Sequence, residues 1–176
     1  MTKVLIAYAS AHGSTREIAH RIGERLRRGG LQARVGPMDE IEDLAPFDAC
    51  ILGSAIHDGA WLSSAAAFVD EHCVELADRP VWLFDVGLAR ALGGGFERHA
   101  PTPESVAKVS AIAKVHDYHR FAGAIARDDL SFRGRLFFRL VRGRFGDFRD
   151  WSEIEGWADG IADELVPDAR ISGGGP

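Results

Sequence analysis

The segment Lys3–Tyr8 (KVLIAY) holds four unbroken apolar residues, Val4 to Ala7. A strand of that kind sends apolar side chains to both of its faces and needs cover on both. The run then empties into Ser10-Ala11-His12-Gly13-Ser14-Thr15, and a helix begins. Ser14–Arg28 sets Ile18, Ala19, Ile22 and Leu26 at helical spacing, with Gly29-Gly30 as its C-cap. A buried strand feeding a helix through a short turn is half of a parallel, doubly covered sheet.

The same alternation continues along the chain. Strands are expected at Leu31–Val35, Phe47–Leu52 (FDACIL, ending at Gly53), Pro80–Val86 (PVWLFDV) and His119–Ile125 (HRFAGAI). Helices are expected at Leu62–Leu76, with Ala66, Phe68, Val69, Cys73 and Leu76 toward the core, at Pro103–Val115 and at Asp150–Leu165. The fold class is therefore α/β, a doubly wound five-stranded parallel sheet of order 2-1-3-4-5 with helices on both faces. A chain of 176 residues fits one domain, expected over 1–168, with 169–176 (ending GGGP) as a flexible tail. Ligands of such sheets bind beyond the carboxyl ends of the strands, where the order reverses between strands one and three.

The first loop lies at that place. Ser10, Ser14 and Thr15 carry hydroxyls, and Gly13 allows a tight turn that lets backbone N–H groups converge on one oxygen cluster. A helix N-terminus favours an anion, most often a phosphate. With no Lys or Arg in the turn itself, the expected cradle is one of neutral donors, formed by Ser10, Ala11, His12, Gly13, Ser14 and Thr15. Other phosphate chemistries are excluded. There is no GxxxxGK[ST] loop and no GxGxxG after strand one. Ser10 stands where a phosphatase nucleophile would need Cys, and Leu52-Gly53 stands where a phospho-accepting domain would need Asp.

Hydrophobic residues make up 46% of the chain and charged residues 27%, an ordinary soluble balance. MTKVLIAYAS has neither the length nor the flanks of a signal peptide or membrane span, so a cytoplasmic location is expected. Cys50 and Cys73 lack metal or redox spacing and are expected as buried free thiols; no metal site is expected. The net charge of −5 conceals an asymmetry: residues 127–149 hold seven Arg against three Asp, and the rest of the chain holds 14 basic and 23 acidic residues. That pattern suits a local anionic or membrane-surface contact, and no nucleic-acid partner is expected.

SAHGSTREIA after a buried strand resembles the FMN-phosphate loop of flavodoxins, with Ser10, Gly13 and Thr15 matching T-x-T-G-x-T and His12 departing from the family's hydroxyl. ILGSAIHDGAWLSSAAAFVDEH, FAGAI and DWSEIEGWADGIADEL further resemble the flavodoxin-like, menaquinone-using protoporphyrinogen oxidases. The resemblance implies a flavodoxin-like fold, FMN as cofactor, and electron transfer from a small-molecule redox substrate to a quinone. A flavodoxin-type electron carrier and an NAD(P)H-dependent quinone reductase remain as alternatives. It also implies two further cofactor segments. The first is Ser54, Ala55, Ile56, His57, Asp58 and Gly59 with Trp61, where His57 or Trp61 would stack on the flavin. The second is Val86, Gly87, Leu88 and Ala89, whose backbone would meet its pyrimidine side. Asp58 and Asp85 are expected either to tune the flavin's potential or to be solvated turn residues. No side chain is assigned as a catalytic acid or base, since the chemistry would be flavin-centred.

Ser131–Phe148 (SFRGRLFFRLVRGRFGDF) is basic and aromatic, and the same oxidases carry such an insertion here. On a helix, Arg135, Arg139 and Arg142 would face one side and Leu136, Phe137, Leu140 and Val141 the other. Four roles stay open for it: packing on the domain, peripheral contact with the membrane's inner face, holding carboxylates of a porphyrin-like substrate, and self-association into a homo-oligomer.

Overall fold

The structure, a computed structural model, describes residues 1–87, 101–125 and 146–166. Five strands form its parallel sheet: β1 (Lys3–Ala9), β2 (Gln32–Pro37), β3 (Ala49–His57), β5 (Pro80–Gly87) and β6 (Lys114–Ala122). Their order is β2-β1-β3-β5-β6, and the short β4 (Ala60–Trp61) folds back antiparallel on β3. Among the five long strands this is the 2-1-3-4-5 order of a doubly wound sheet.

The two-sided apolar strands account for the two layers. Val4, Ile6 and Tyr8 of β1 join Trp82, Phe84 and Val86 of β5 in one cluster, under α1 (Ser14–Arg28) and α5 (Trp151–Leu165). Leu5, Ala7 and Ala9 join Leu83 in the other, under α2 (Ser63–Glu71), α3 (Cys73–Ala77) and α4 (Glu104–Ile112). Ile18, Ile22 and Leu26 of α1 are fully buried, each contributing roughly 1.5–3 kcal/mol. The ion pairs between α1 and α5, Arg21–Glu155 at 2.5 Å and Arg25–Asp159, are partly exposed and contribute less, about 0–1 kcal/mol each. The apolar stripes of α1 and of α5 (Ile154, Ala158 and Ile161) therefore seat the two helices, and the ion pairs add to that contact at its rim.

Gly53 is required by packing. A Cβ there would lie 2.0 Å from Cζ of Phe84, whose ring lies over the neighbouring strand. The chain does not end its strand at Gly53, as expected, but continues in β3 to His57. The expected helix over Leu62–Leu76 divides at His72, which is buried while Cys73 is only half-buried. Ala65, not Ala66, faces the core. The helix expected to reach Val115 stops at Ile112, because Lys114 already pairs with Pro80. Cys50 is a buried free thiol, and burial pushes its pKa up to about 12.

One carboxylate is sunk in the sheet. Asp85, near the end of β5, is 5% exposed, accepts a hydrogen bond from the Tyr118 hydroxyl, and lies 3.8 Å from Nε of Arg120. Arg120 Nε also donates to the Tyr118 oxygen at 3.0 Å. Burial raises the Asp85 pKa, while Tyr118, Arg120 and His119 pull it back. In the pH window between the unfolded value and this raised one, the folded chain binds the extra proton, so this group's contribution to stability falls as pH rises. Asp85→Asn should remove that dependence. Urea unfolding across the window is expected to show the variant gaining stability relative to wild type as pH rises. A relative loss would mean that Tyr118 and Arg120 hold the ionised carboxylate better than water does.

Candidate functional site

The carboxyl ends of β1, β3, β5 and β6 are in register, with Ala9 beside Ser54, Ser54 beside Asp85, and Asp85 beside Arg120. Connections leave β1 and β3 for opposite faces of the sheet, so a crevice opens where they part. The first loop turns on Gly13, which has φ 96°, a left-handed conformation strained for other residues. Its N–H donates to Ser10 Oγ at 3.0 Å, closing the turn. Gly13 is also the N-cap of α1, so no side chain caps the first amides of that helix. A polar cleft of about 380 Å³ lies against this turn, lined by Tyr8, Ser10, Ala11, His12, Gly13 and Arg16. That volume is within the range of ligand pockets.

The structure sorts the six first-loop candidates. Ser10, Ala11, His12 and Gly13 line the cleft. Thr15 is buried beneath the helix start. Ser14 turns to the other side: its hydroxyl donates to the Ala124 carbonyl at 3.3 Å and accepts the Ala124 N–H at 3.2 Å. The lining of the cleft also includes a cation. Arg16 lines the cleft, and its Nη2 would lie 3.8 Å from a Cβ on Gly13. Sequence reasoning looked inside the turn and missed this cation one helical step later. The available signal was electrostatic: a positive residue at a helix N-terminus opposes the dipole unless an anion lies between them.

The second segment is a β-hairpin. Ile56 pairs with Trp61 and His57 with Ala60 around Asp58-Gly59, whose φ values of 50° and 79° fit the two-residue turn that Asp-Gly favours. Ser54 is buried; its hydroxyl donates to the Ala55 carbonyl and accepts the Leu62 N–H at 3.0 Å, bracing the hairpin's base. Ala55 and Ile56 are half-buried, and His57, Asp58 and Gly59 form the exposed tip. Asp58 is thus a solvated turn residue and Asp85 is not. Trp61 is buried in the core on the α2–α4 face. In the third segment, Val86 is buried and Gly87 lies where a Cβ would touch Ile56 at 3.6 Å, so the end of β5 abuts the hairpin. Leu88 and Ala89, like residues 131–145 of the basic segment, lie outside the described residues.

Past β6, Gly123 links two structures: its N–H donates to the Gly87 carbonyl and its carbonyl accepts the Phe148 N–H. A two-stranded antiparallel ribbon, β7 (Ala124–Ile125) with β8 (Gly146–Asp147), follows. Arg149 grips both carboxylate oxygens of Asp147 and reaches Glu17 of α1 at 2.6 Å, while stacking 4.6 Å over Trp151. These pairings hold Asp147 below and Arg149 above their ordinary pKa values. Among the described residues no His/Cys/Asp/Glu cluster fits a metal, and no helix is long and apolar enough to cross a membrane.

An uncapped helix start, a hydroxyl and a guanidinium around one polar cleft suit a monoanionic or dianionic group such as a phosphate ester. Comparison with known proteins gives this site its context. The chain is 25% identical over 174 residues to protoporphyrinogen IX dehydrogenase [quinone] of Escherichia coli, covering 91% of this chain and 94% of that one. It is 29% identical over 93 residues to NAD(P)H dehydrogenase (quinone) of Afipia carboxidovorans, covering 40% and 47%. A flavodoxin variant from Pseudomonas aeruginosa superposes with a TM-score of 0.64 at 15% identity, over 94% of this chain and all of that one. The sequence profile described as flavodoxin domain matches residues 5–150. On that match, and with its five-stranded doubly wound sheet, the chain belongs to the flavodoxin domain family.

Proposed function

We propose that this chain binds FMN and is an oxidoreductase that passes electrons from a reduced, porphyrinogen-like organic substrate to a quinone. The observation that carries the cofactor reading is the polar cleft at the β1/β3 parting, where the start of α1, Ser10 and Arg16 meet. Likeness to the quinone-linked protoporphyrinogen IX dehydrogenase along nearly the whole of both chains supports the substrate class. The shorter likeness to NAD(P)H dehydrogenase (quinone) also supports a quinone as acceptor and makes a nicotinamide donor the second reading.

Bound FMN would supply reversible transfer of one or two electrons. The chain's own residues have distinct tasks. The first-turn amides of α1, Ser10 and Arg16 would hold the phosphate, with the helix dipole and the guanidinium both favouring negative charge. The exposed hairpin tip, with His57, would lie against the ring, and Gly87, Leu88 and Ala89 would offer backbone to its pyrimidine side. Asp85, tied to Tyr118 and Arg120, would place a buried carboxyl at the same end of the sheet, where its charge state bears on that of the ring.

Arg16 is exposed, so Arg16→Ala should change the unfolding free energy measured in urea by no more than about 0.5 kcal/mol. It should weaken FMN binding by about tenfold or more, as the loss of a charge-assisted hydrogen bond of roughly 1.5–3 kcal/mol requires. Unchanged FMN affinity in that variant contradicts its role. The activity is tested by supplying FMN-loaded protein with protoporphyrinogen and menaquinone, with NAD(P)H and quinone, and with a flavodoxin reductase. Turnover is expected with the first pair. Turnover confined to the second supports the nicotinamide-linked reading, and turnover confined to the third supports an electron carrier.

A further inference from the structure

The first turn of α1 bonds directly to β7 and reaches β8 through Arg149, and these two strands flank residues 126–145 in the sequence. Ser14 exchanges two hydrogen bonds with the backbone of Ala124 in β7, a residue 110 positions away. Glu17, one turn on, holds Arg149, which grips Asp147 of β8. The Arg149 side chain is 10% exposed, while Glu17 and Asp147 are about half exposed, so the guanidinium is fixed from both sides although the two pairs stay open to water. The turn that begins the anion cleft is thus also the anchor of the ribbon, whose strands flank residues 126–145, six of them Arg, in the sequence.

We propose that Ser14 is a positioning residue that couples occupancy of the α1 anion cleft to closure of the β7–β8 ribbon. The inference rests on the proposed FMN reading and adds to it a link from the cofactor to the insertion. A hydroxyl has one proton, and Ser14 gives its proton to Ala124, so the cleft's anion takes none from it. An anion that fixes the first turn of α1 fixes the orientation of Ser14 and, through it, the backbone of Ala124. Linkage makes the effect mutual: an open ribbon loosens the turn and weakens the anion by the same factor.

Amide exchange measured by NMR reads this directly, with flavin fluorescence reporting FMN occupancy in the same sample. In the wild-type chain at saturating FMN, the Ala124 and Phe148 amides should exchange roughly tenfold more slowly than without it, within the usual range of coupling between sites. In Ser14→Ala at saturating FMN that slowing should vanish at both amides, and FMN affinity should fall by a similar factor. Ser14→Thr, which keeps the hydroxyl, should restore both. FMN that quenches its fluorescence on the wild type without slowing either amide overturns this inference alone. The same slowing in Ser14→Ala also overturns it, since the coupling would then bypass Ser14. FMN that shows no binding at all overturns the proposed function and this inference with it.

Discussion

Apolar side chains on both faces of β1, β3 and β5 impose the requirement that everything else here satisfies. Leu5, Ala7 and Leu83 cannot be left to water while Val4, Ile6 and Phe84 are covered, so helices must lie on both faces of the sheet. Parallel strands with right-handed crossovers meet that need by winding outward in two directions from the middle. The connections after β1 and β3 then depart to opposite faces, and the crevice between them follows from the topology. The site is a by-product of covering the core, and chemistry was then placed in it.

What lies there is the positive end of the α1 dipole. Gly13, the N-cap of α1, lines the cleft and adds no capping side chain, and Arg16 lines it with a full charge. The acid that would ordinarily relieve a helix N-terminus is Glu17, and it is engaged by Arg149. Glu17 and Ser14 thereby tie the cleft to the β7–β8 ribbon through one helical turn.

Much of this architecture was readable before any coordinates, and the failures have physical causes. Continuous apolar runs mark the inner strands, because burial on both faces leaves no polar alternation to mislead, and the alternation of strands with helices implies their doubly wound order. The edge strand β6 was read short because Lys114–Tyr118 carries the polar side chains a half-covered edge tolerates. The hairpin at Asp58-Gly59 is not among the expected strands, although Asp-Gly between Ile56-His57 and Ala60-Trp61 carries the signal of a two-residue turn. Within the site, the turn at Gly13 was evident from its neighbours. The partner of Ser14 was not, because no local pattern announces a hydrogen bond to Ala124. Arg16 lies outside the turn in sequence, yet the helical rise brings it back to the same cleft.

The account stands on the claim that this crevice recognises a phosphate attached to a flavin. Calorimetric titration of the flavin-free protein with FMN and with riboflavin isolates that group, because the two ligands differ by the phosphate alone. Two charge-assisted hydrogen bonds of roughly 1.5 kcal/mol or more each amount to about a hundredfold or greater preference for FMN. Equal affinities, or binding of neither ligand, would contradict the claim.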